Sequence, residues 1–428
     1  MRLVWDPATM AVRAVAMVGS CSIDQGHSCQ FVSMEAALFE VATLTDATEE
    51  QRLCEIQCQS FGLSTDYWTR YVSRIGRTNF RVIRRAGRVI GGLGIYHAGQ
   101  WFGGRCLDMA GIAAVAIAPE DRSSGAAAHL MACALNELQD QGVPLSVLYP
   151  TTQRLYRGSG YEQAGSCCLH RLSLNSIQLR ETDVPLTRIE GVHHEPYHES
   201  ARIRARITNG NLERNTGLWE RTVTFPYADK SVYRYLVGES DQPEGYLIFY
   251  YDADKPGPFN LCVRDMMAVS PGAAKAIWAF LSSYRSVAKS VSWNGPAVEP
   301  LLLLPTELKA EVVSHERWMM RLVDVRRALC ARGYLPHVHA ELHMEITDDI
   351  VSVNNGRFIL NVANGSATVC NGGRGDLKTH VRGLSPLFSG FLSPVVLRHM
   401  GHIEAGDQTV ATATSIFAGP PPWMPDRF

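Results

Sequence analysis

Along residues 39–44, Phe39, Val41 and Leu44 interleave with Glu40 and Thr43 in the near-alternating pattern of a strand. Thr45 or Asp46 then stands where a helix cap belongs, ahead of a segment that sets Leu53, Ile56 and Phe61 on one side. Two strands, 80–84 and 89–95, flank the turn signal Arg85-Ala86-Gly87, and a longer apolar strand follows over 108–117. Next come a helix from Ala126 to about Gln141, a strand at 145–149 and a short helical stretch around Tyr156. A turn at 158–160 and a closing strand at 167–172 complete the stretch. Strands alternating with helices at this spacing predict an α/β unit of about 150 residues.

A second unit begins after Pro185, with a helix near 199–207, strands at 232–237, 245–251 and 261–268, and a helix over 271–284. Its order repeats that of the first unit. Asp108-Met109 in the first long strand is echoed by Asp265-Met266-Met267 in the second. A duplicated fold explains this, and so does the convergence of two ordinary α/β segments. After Gly333 a third unit alternates over 338–346, 357–362 and 367–370, with Asn- and Gly-rich turns and two helical stretches at 384–389 and 394–400. The sequence ends in Gly419-Pro420-Pro421-Pro422-Trp423-Met424-Pro425-Asp426-Arg427-Phe428, whose prolines fix φ and give the tail a defined path.

Composition narrows the class. The 428 residues fit about three domains, and 46% hydrophobic with 19% charged residues argues for a cored protein. A net charge of −1 offers no basic excess for nucleic acid or a membrane surface, and none of the apolar runs approaches the roughly 20 residues of a membrane helix. The run Leu301 to Leu304 reads as core. Eleven cysteines with irregular spacing and no C-x-x-C pair read as reduced, mostly buried thiols of a cytoplasmic protein. Residues 1–35 read as an N-terminal extension, faintly like a lipoprotein signal around Cys21, with Met34 an alternative start.

The chemistry concentrates at one turn. Val115-Ala116-Ile117-Ala118-Pro119 leads into Arg122-Ser123-Ser124-Gly125-Ala126-Ala127, an R-x-x-G-x-A pattern between strand and helix. A helix N-terminus offers unpaired N–H groups and a positive dipole end, and small residues let a pyrophosphate approach them. The turn resembles the acetyl-CoA signature of the GCN5-related N-acetyltransferases. Farther on, Tyr149-Pro150 and the run Leu155-Tyr156-Arg157-Gly158-Ser159-Gly160-Tyr161 match the aromatic "GY" turn of that superfamily. With the Pro-rich tail ending in Phe428, the chain from about residue 36 onward resembles the enhanced intracellular survival (Eis) family of amine acetyltransferases.

That resemblance implies an α/β (α+β) architecture. Residues 36–180 would form a catalytic acetyltransferase domain, 181–333 a degenerate second copy and 334–428 a sterol-carrier-like domain with the tail. It implies acetyl-CoA as co-substrate, no metal, a primary amine acceptor (aminoglycoside, polyamine or lysine-like), and a homo-oligomer, with a hexamer as one such assembly. Tyr156 would be the general acid and the carboxylate of Phe428 the general base. Val115, Ala116, Ile117, Arg122, Ser123, Ser124, Gly125, Ala126 and Ala127 would hold acetyl-CoA, and Phe61, Trp68, Ala114, Tyr149 and Asp426 would line the acceptor pocket. The second unit's equivalent turn, Val269-Ser270-Pro271-Gly272, lacks the arginine, so no CoA is expected there. The chain departs from the family at Ser123 and Ser124, where basic residues are common, and at Tyr149, where the family has a histidine. It departs again at Ala113-Ala114 and at Arg427.

Other patterns carry less. His194-Glu195-Pro196-Tyr197-His198 has the H-E-x-x-H form of a zinc protease, but Pro196 opposes the regular helix that chemistry needs. His337, His339 and His343 alternate as if on a solvated strand face, and Asn364-Gly365-Ser366 is a glycosylation sequon in form only. The rival reading from another class is a lipid- or partner-binding protein that uses the sterol-carrier-like domain, with the acetyltransferase fold as scaffold.

Overall fold

The computed structural model describes residues 39–179, 182–224, 231–239, 241–252, 258–305, 307 and 309–428, together with a separate antiparallel pair, Leu3–Trp5 with Val12–Ala14. The rest of the N-terminal extension lies outside the described residues.

One 13-stranded sheet runs through both acetyltransferase-like units. Its order is Glu40–Thr43, Phe80–Arg85, Arg88–Phe102, Arg105–Ile117, Leu145–Leu148, Glu311–Leu322, Glu162–Ser173, Ala288–Gly295, Phe259–Ala268, Gln242–Asp252, Tyr233–Glu239 and Leu186–Arg188. The short strand Leu212–Glu213 pairs with Arg88–Phe102. Strand Glu311–Leu322 comes late in the chain, yet it lies between Leu145–Leu148 and Glu162–Ser173 of the first unit, antiparallel to both. Glu162–Ser173 in turn pairs with Ala288–Gly295 of the second unit. The two units therefore complete each other's sheets.

Helices start and stop where local chemistry directs. Asp46 caps Ala47–Phe61 by accepting from the amides of Thr48 and Glu49, and Gly62 closes it in the left-handed region at φ 66°. The helix buries Leu53, Cys54, Ile56 and Gln57. Helix Ala126–Asp140 buries Leu130, Met131, Ala134, Leu135 and Leu138 at helical spacing against the sheet.

The third unit is a five-stranded sheet, ordered Ser366–Asn371, Gly356–Ala363, Ala340–Thr347, Leu377–His380, Ile403–Ala405. Helices Val381–Ser389, Pro394–His399 and Asp407–Phe417 complete it. The Asn364-Gly365 pair is the hairpin turn between two of these strands, both residues at positive φ. The guanidinium of Arg332 is buried and donates to the carbonyls of Phe388 and Phe417, at the C-terminal ends of two helices where carbonyls lack helical partners.

Two expectations are corrected. His343 is 6% exposed and accepts from the Arg374 amide, because its face of strand Ala340–Thr347 is covered; His337 and His339 precede the strand and are exposed. Of Leu301 to Leu304, Leu301, Leu302 and Leu304 pack against the core as expected, but the 3-10 turn Pro300–Leu303 points Leu303 outward at 87% exposure.

Arg321, on the exchanged strand, joins all three parts. It pairs with Asp348 at 2.6 Å, both side chains no more than 1% exposed, and donates to the Ser159 carbonyl at 2.7 Å. Gly160 is glycine of necessity, since a Cβ there would overlap the guanidinium. Breaking a buried pair leaves an uncompensated charge, so Asp348→Ala should cost about 3–5 kcal/mol of stability, read as a fall in the denaturant midpoint. An unchanged midpoint would refute the joint.

Candidate active site

Strand Arg105–Ile117 pairs in parallel with Leu145–Leu148 only over Met109, Ala110 and Gly111; beyond Gly111 and Val147 the two part. A bulge on the other edge goes with this parting. Gly92 faces Ala116 while Gly94 faces Ala113, so Ala114 and Val115 together stand opposite Leu93. Ala114 takes φ 51°, unusual for a residue with a Cβ. Its carbonyl is turned out of the ladder and accepts from Gln57 Nε2 at 2.7 Å, and Gln57 Oε1 accepts from the Trp68 indole at 2.7 Å. Gln57 is fully buried and Trp68 is 3% exposed, so Trp68 buttresses the bulge. Phe61, at the end of the same helix, is 37% exposed.

The cradle follows at once. After a 3-10 turn over Pro119–Asp121, Ser123 and Gly125 take φ 61° and 88°, and helix Ala126–Asp140 starts with no side chain capping it. A Cβ built on Gly125 would meet nothing within 4 Å, so the approach to the helix N-terminus is open. Arg122 folds back, its Nε donating to the Ile117 carbonyl at 3.2 Å, and Ser124 Oγ donates to the Asp121 carbonyl at 2.6 Å. Asp121 is buried and pairs with Arg88 at 2.7 Å. The side chains of 121–124 thus shape the turn; Ser124 Oγ also accepts from the Ala126 amide at 3.4 Å, and the N-cap Gly125 has no side chain to cap the amides that follow. This arrangement suits a pyrophosphate.

Tyr156 sits on the short helix Gln153–Gly158, in the same packed cluster as Ile117, Ala126 and Leu130, with Val115 and Ala127 against it. Burial pushes its phenol above the usual tyrosine range, so it stays protonated well past neutral pH. Tyr161 is fully buried and hydrogen-bonded to Ser146 at 2.6 Å, a structural role.

The tail reaches this place from the third unit. Ser166 donates to the Pro422 carbonyl, and the Met424 amide donates back to the Ser166 carbonyl. Asn209 accepts from the Trp423 amide through its carbonyl, and Asn211 Nδ2 donates to the Trp423 carbonyl at 2.9 Å. Tyr149 donates its hydroxyl to the Met424 carbonyl at 3.2 Å, and Arg427 lies 5.7 Å from the Tyr149 ring and pairs with Glu316 at 2.7 Å. Asp426 is 8% exposed and pairs with Arg214 at 2.7 Å. Arg214 also pairs with Asp265 at 2.5 Å, and Asp265 with Arg204 at 2.7 Å. The two arginines hold the Asp265 carboxyl far below the usual range despite its burial.

Phe428 then comes to rest against Gly111, where a Cβ would stand 2.5 Å from its ring, with ring centroids of Tyr96 at 5.7 Å and Tyr149 at 6.4 Å. The structure thus brings Phe428, Tyr149, Ala114 and the cradle to the two strands that part. It places Trp68 and Asp426 in supporting contacts. Sequence reasoning missed Gln57, Asn209, Asn211 and Arg214; of these only Gln57, a polar residue on the apolar stripe of its helix, carried a signal.

His194 and His198 bond each other through ring nitrogens 2.8 Å apart and stack on Trp219. Among the described residues, no group of three or more His, Cys, Asp or Glu is arranged to hold a metal ion.

Gly111→Ala should expel the Phe428 ring. Carboxypeptidase should then release the last residue faster from the variant than from the parent at equal thermal stability; equal rates would show that the ring is not seated there.

Comparison with known proteins agrees with this geometry. Two models of the acetyltransferase (GNAT) domain match residues 41–164 and 210–322, and a sterol carrier protein domain matches 325–425. A GCN5-related N-acetyltransferase of Anabaena variabilis, solved by crystallography, is 41% identical with a TM-score of 0.88, covering 91% of this chain and 100% of that one. An uncharacterised N-acetyltransferase of Streptomyces griseus is 28% identical over 76% of this chain and 83% of its own length. The N-acetyltransferase Eis of Mycobacterium tuberculosis is 26% identical over 61% of this chain and 65% of its own. With a cradle on the first parted strand pair, a second copy of the fold and a sterol-carrier domain behind them, the chain belongs to the Eis-like GCN5-related N-acetyltransferases.

Proposed function

We propose that the protein moves an acetyl group directly from acetyl-CoA to a primary amine of the aminoglycoside, polyamine or lysine-like kind, with the α-carboxylate of Phe428 as base and Tyr156 as acid. The observation that carries this is the seat of Phe428 on Gly111, at the point where the strands beside the cradle separate. Acetyl-CoA, when bound, supplies an activated thioester. Residues 122–127 would hold its pyrophosphate on the amides of the open helix end. The bulge at Ala114 frees backbone around Val115 to donate a hydrogen bond to a developing oxyanion. A substrate ammonium must lose a proton before it attacks, and the Phe428 carboxylate is the acceptor. The rings of Tyr96, Tyr149 and Phe428 offer π faces to that ammonium before the proton leaves. Tyr156 keeps its proton at neutral pH because it is buried, and so has one to give to the leaving sulfur.

The second unit lacks the cradle's open end. Ser270 caps its helix by accepting from the Ala273 amide at 3.0 Å, and the same hydroxyl bonds the Glu244 carboxylate. A capped end beside an acidic group disfavours a pyrophosphate. In the third unit, Leu342, Leu360, Leu384, Leu387, Ile416 and Phe417 fill the space between sheet and helices, which supports a structural and tail-delivering role over lipid carriage.

Removing Phe428, or amidating it, should lower kcat at least about 10²-fold while the chain still binds CoA. Full turnover in a chain lacking that carboxylate would exclude it as base. Tyr156→Phe should cost about 10²-fold in kcat with little change in KM. Because its pKa is raised, the parent enzyme should hold activity through mildly alkaline pH until Tyr156 deprotonates, and the variant should lose that limb. The same limb in both would assign the acid elsewhere.

A further inference from the structure

The second unit has its own parting strands. Phe259–Ala268 pairs in parallel with Ala288–Gly295 as far as Val263 and Trp293, and then the two diverge. Between the diverging ends lies a cavity of about 500 Å³, within the size range of small-molecule sites. Met266 and Met267 form one edge and Trp293 and Pro296 the other.

Of its four polar side chains, Arg204, Thr208, Asn294 and Glu299, three are spent on the protein. Arg204 is committed to Asp265, Asn211 and the Met266 carbonyl. Thr208 donates to the Arg204 carbonyl. The Glu299 carboxylate accepts from the Trp293 indole at 3.0 Å and from the Leu301 amide at 3.0 Å. The remaining surface is mostly carbon, and at its rim Ile207 and Val298 stand 66% and 82% exposed. The helix end that could attract an anion is occupied by Ser270 and faces Glu244. The last wall is the tail itself, through Pro420, Pro421 and Trp423, five residues before the Phe428 ring.

We propose that this second cleft is a binding site for an uncharged, largely apolar small molecule, with the catalytic tail as one of its walls. The first cleft has open amides and would take a charged co-substrate. The second keeps the divergence of the strands but presents carbon, so transfer of apolar surface out of water is what would drive binding. Occupancy adds contacts to Pro421 and Trp423 and so holds the tail more firmly. The proposal does not rest on the catalytic roles of Phe428 and Tyr156.

The test is fluorescence titration of the full chain with the uncharged probe N-phenylnaphthylamine, with excess CoA present to fill the first cleft. Saturable uptake of one probe per chain is expected, unaffected by CoA. The double variant Ile207→Glu with Val298→Asp changes only exposed rim residues and should weaken uptake at least tenfold. Val395→Asp, at an exposed site on the third unit, should leave it unchanged. Lack of saturable uptake, displacement by CoA, equal affinity in the double variant, or an equal loss in Val395→Asp would each overturn the proposal.

Discussion

Two parallel strands that pair for three residues and then part create a problem for the backbone: amides and carbonyls beyond the last pair lose their ladder partners, and buried ones must find others. The first unit meets this at Ala114. The bulge turns the Ala114 carbonyl onto Gln57, and Gln57 is fixed in turn by Trp68, so one buried carboxamide satisfies a carbonyl and an indole at once. Everything at the site follows from that. The parting opens the space, the bulge takes Ala114 and Val115 out of the regular ladder, and the strand that carried the bulge runs directly into the turn before helix Ala126–Asp140.

The tail needs a different kind of support, because an extended segment has no ladder of its own. Its backbone is clamped on two sides, by Ser166 of the first unit and by Asn209 and Asn211 of the second. Asp426 adds a buried ladder of alternating charge through Arg214 and Asp265 to Arg204. Buried pairs return little net stability once desolvation is counted, yet breaking one strands a charge at a cost of about 3–5 kcal/mol. The ladder is therefore better understood as fixing where the tail lies than as stabilising the fold. Four prolines in 420–425 lower the entropy the tail must lose to follow that path.

Much of the fold was legible because it is local. Alternation marked the strands, and Asp46 and Gly62 bracket a helix whose apolar face is visible in the letters. The turn before helix Ala126–Asp140 was legible as well, since it is made by consecutive residues. The strand exchange was not: Glu311–Leu322 is marked by no local feature that sends it between two strands more than 130 residues earlier, because its partners are set by which edges remain unpaired after both units form. His343 failed for the related reason that which face of a strand is covered is decided by distant chain. Trp68 has the composition of a pocket wall and the contacts of a buttress, a distinction only Gln57 reveals. The clamp was invisible because asparagines at 209 and 211 look like any loop until the tail arrives beside them.

These constraints also give the second copy of the fold a structural task. It supplies Asn209, Asn211, Arg214 and Asp265, the groups that position the tail, while strand Glu311–Leu322 carries Arg321 into the first unit and on to Asp348 of the third. If the Phe428 carboxylate acts as proposed, its position must be fixed to a fraction of an ångström, and these contacts from the second unit help to fix it. The second unit commits Arg204, Asn211, Arg214 and Asp265 to that network. The strand divergence inherited with its fold is left lined mostly by carbon, so positioning the tail and forming a largely apolar cleft against it draw on the same allocation of hydrogen bonds.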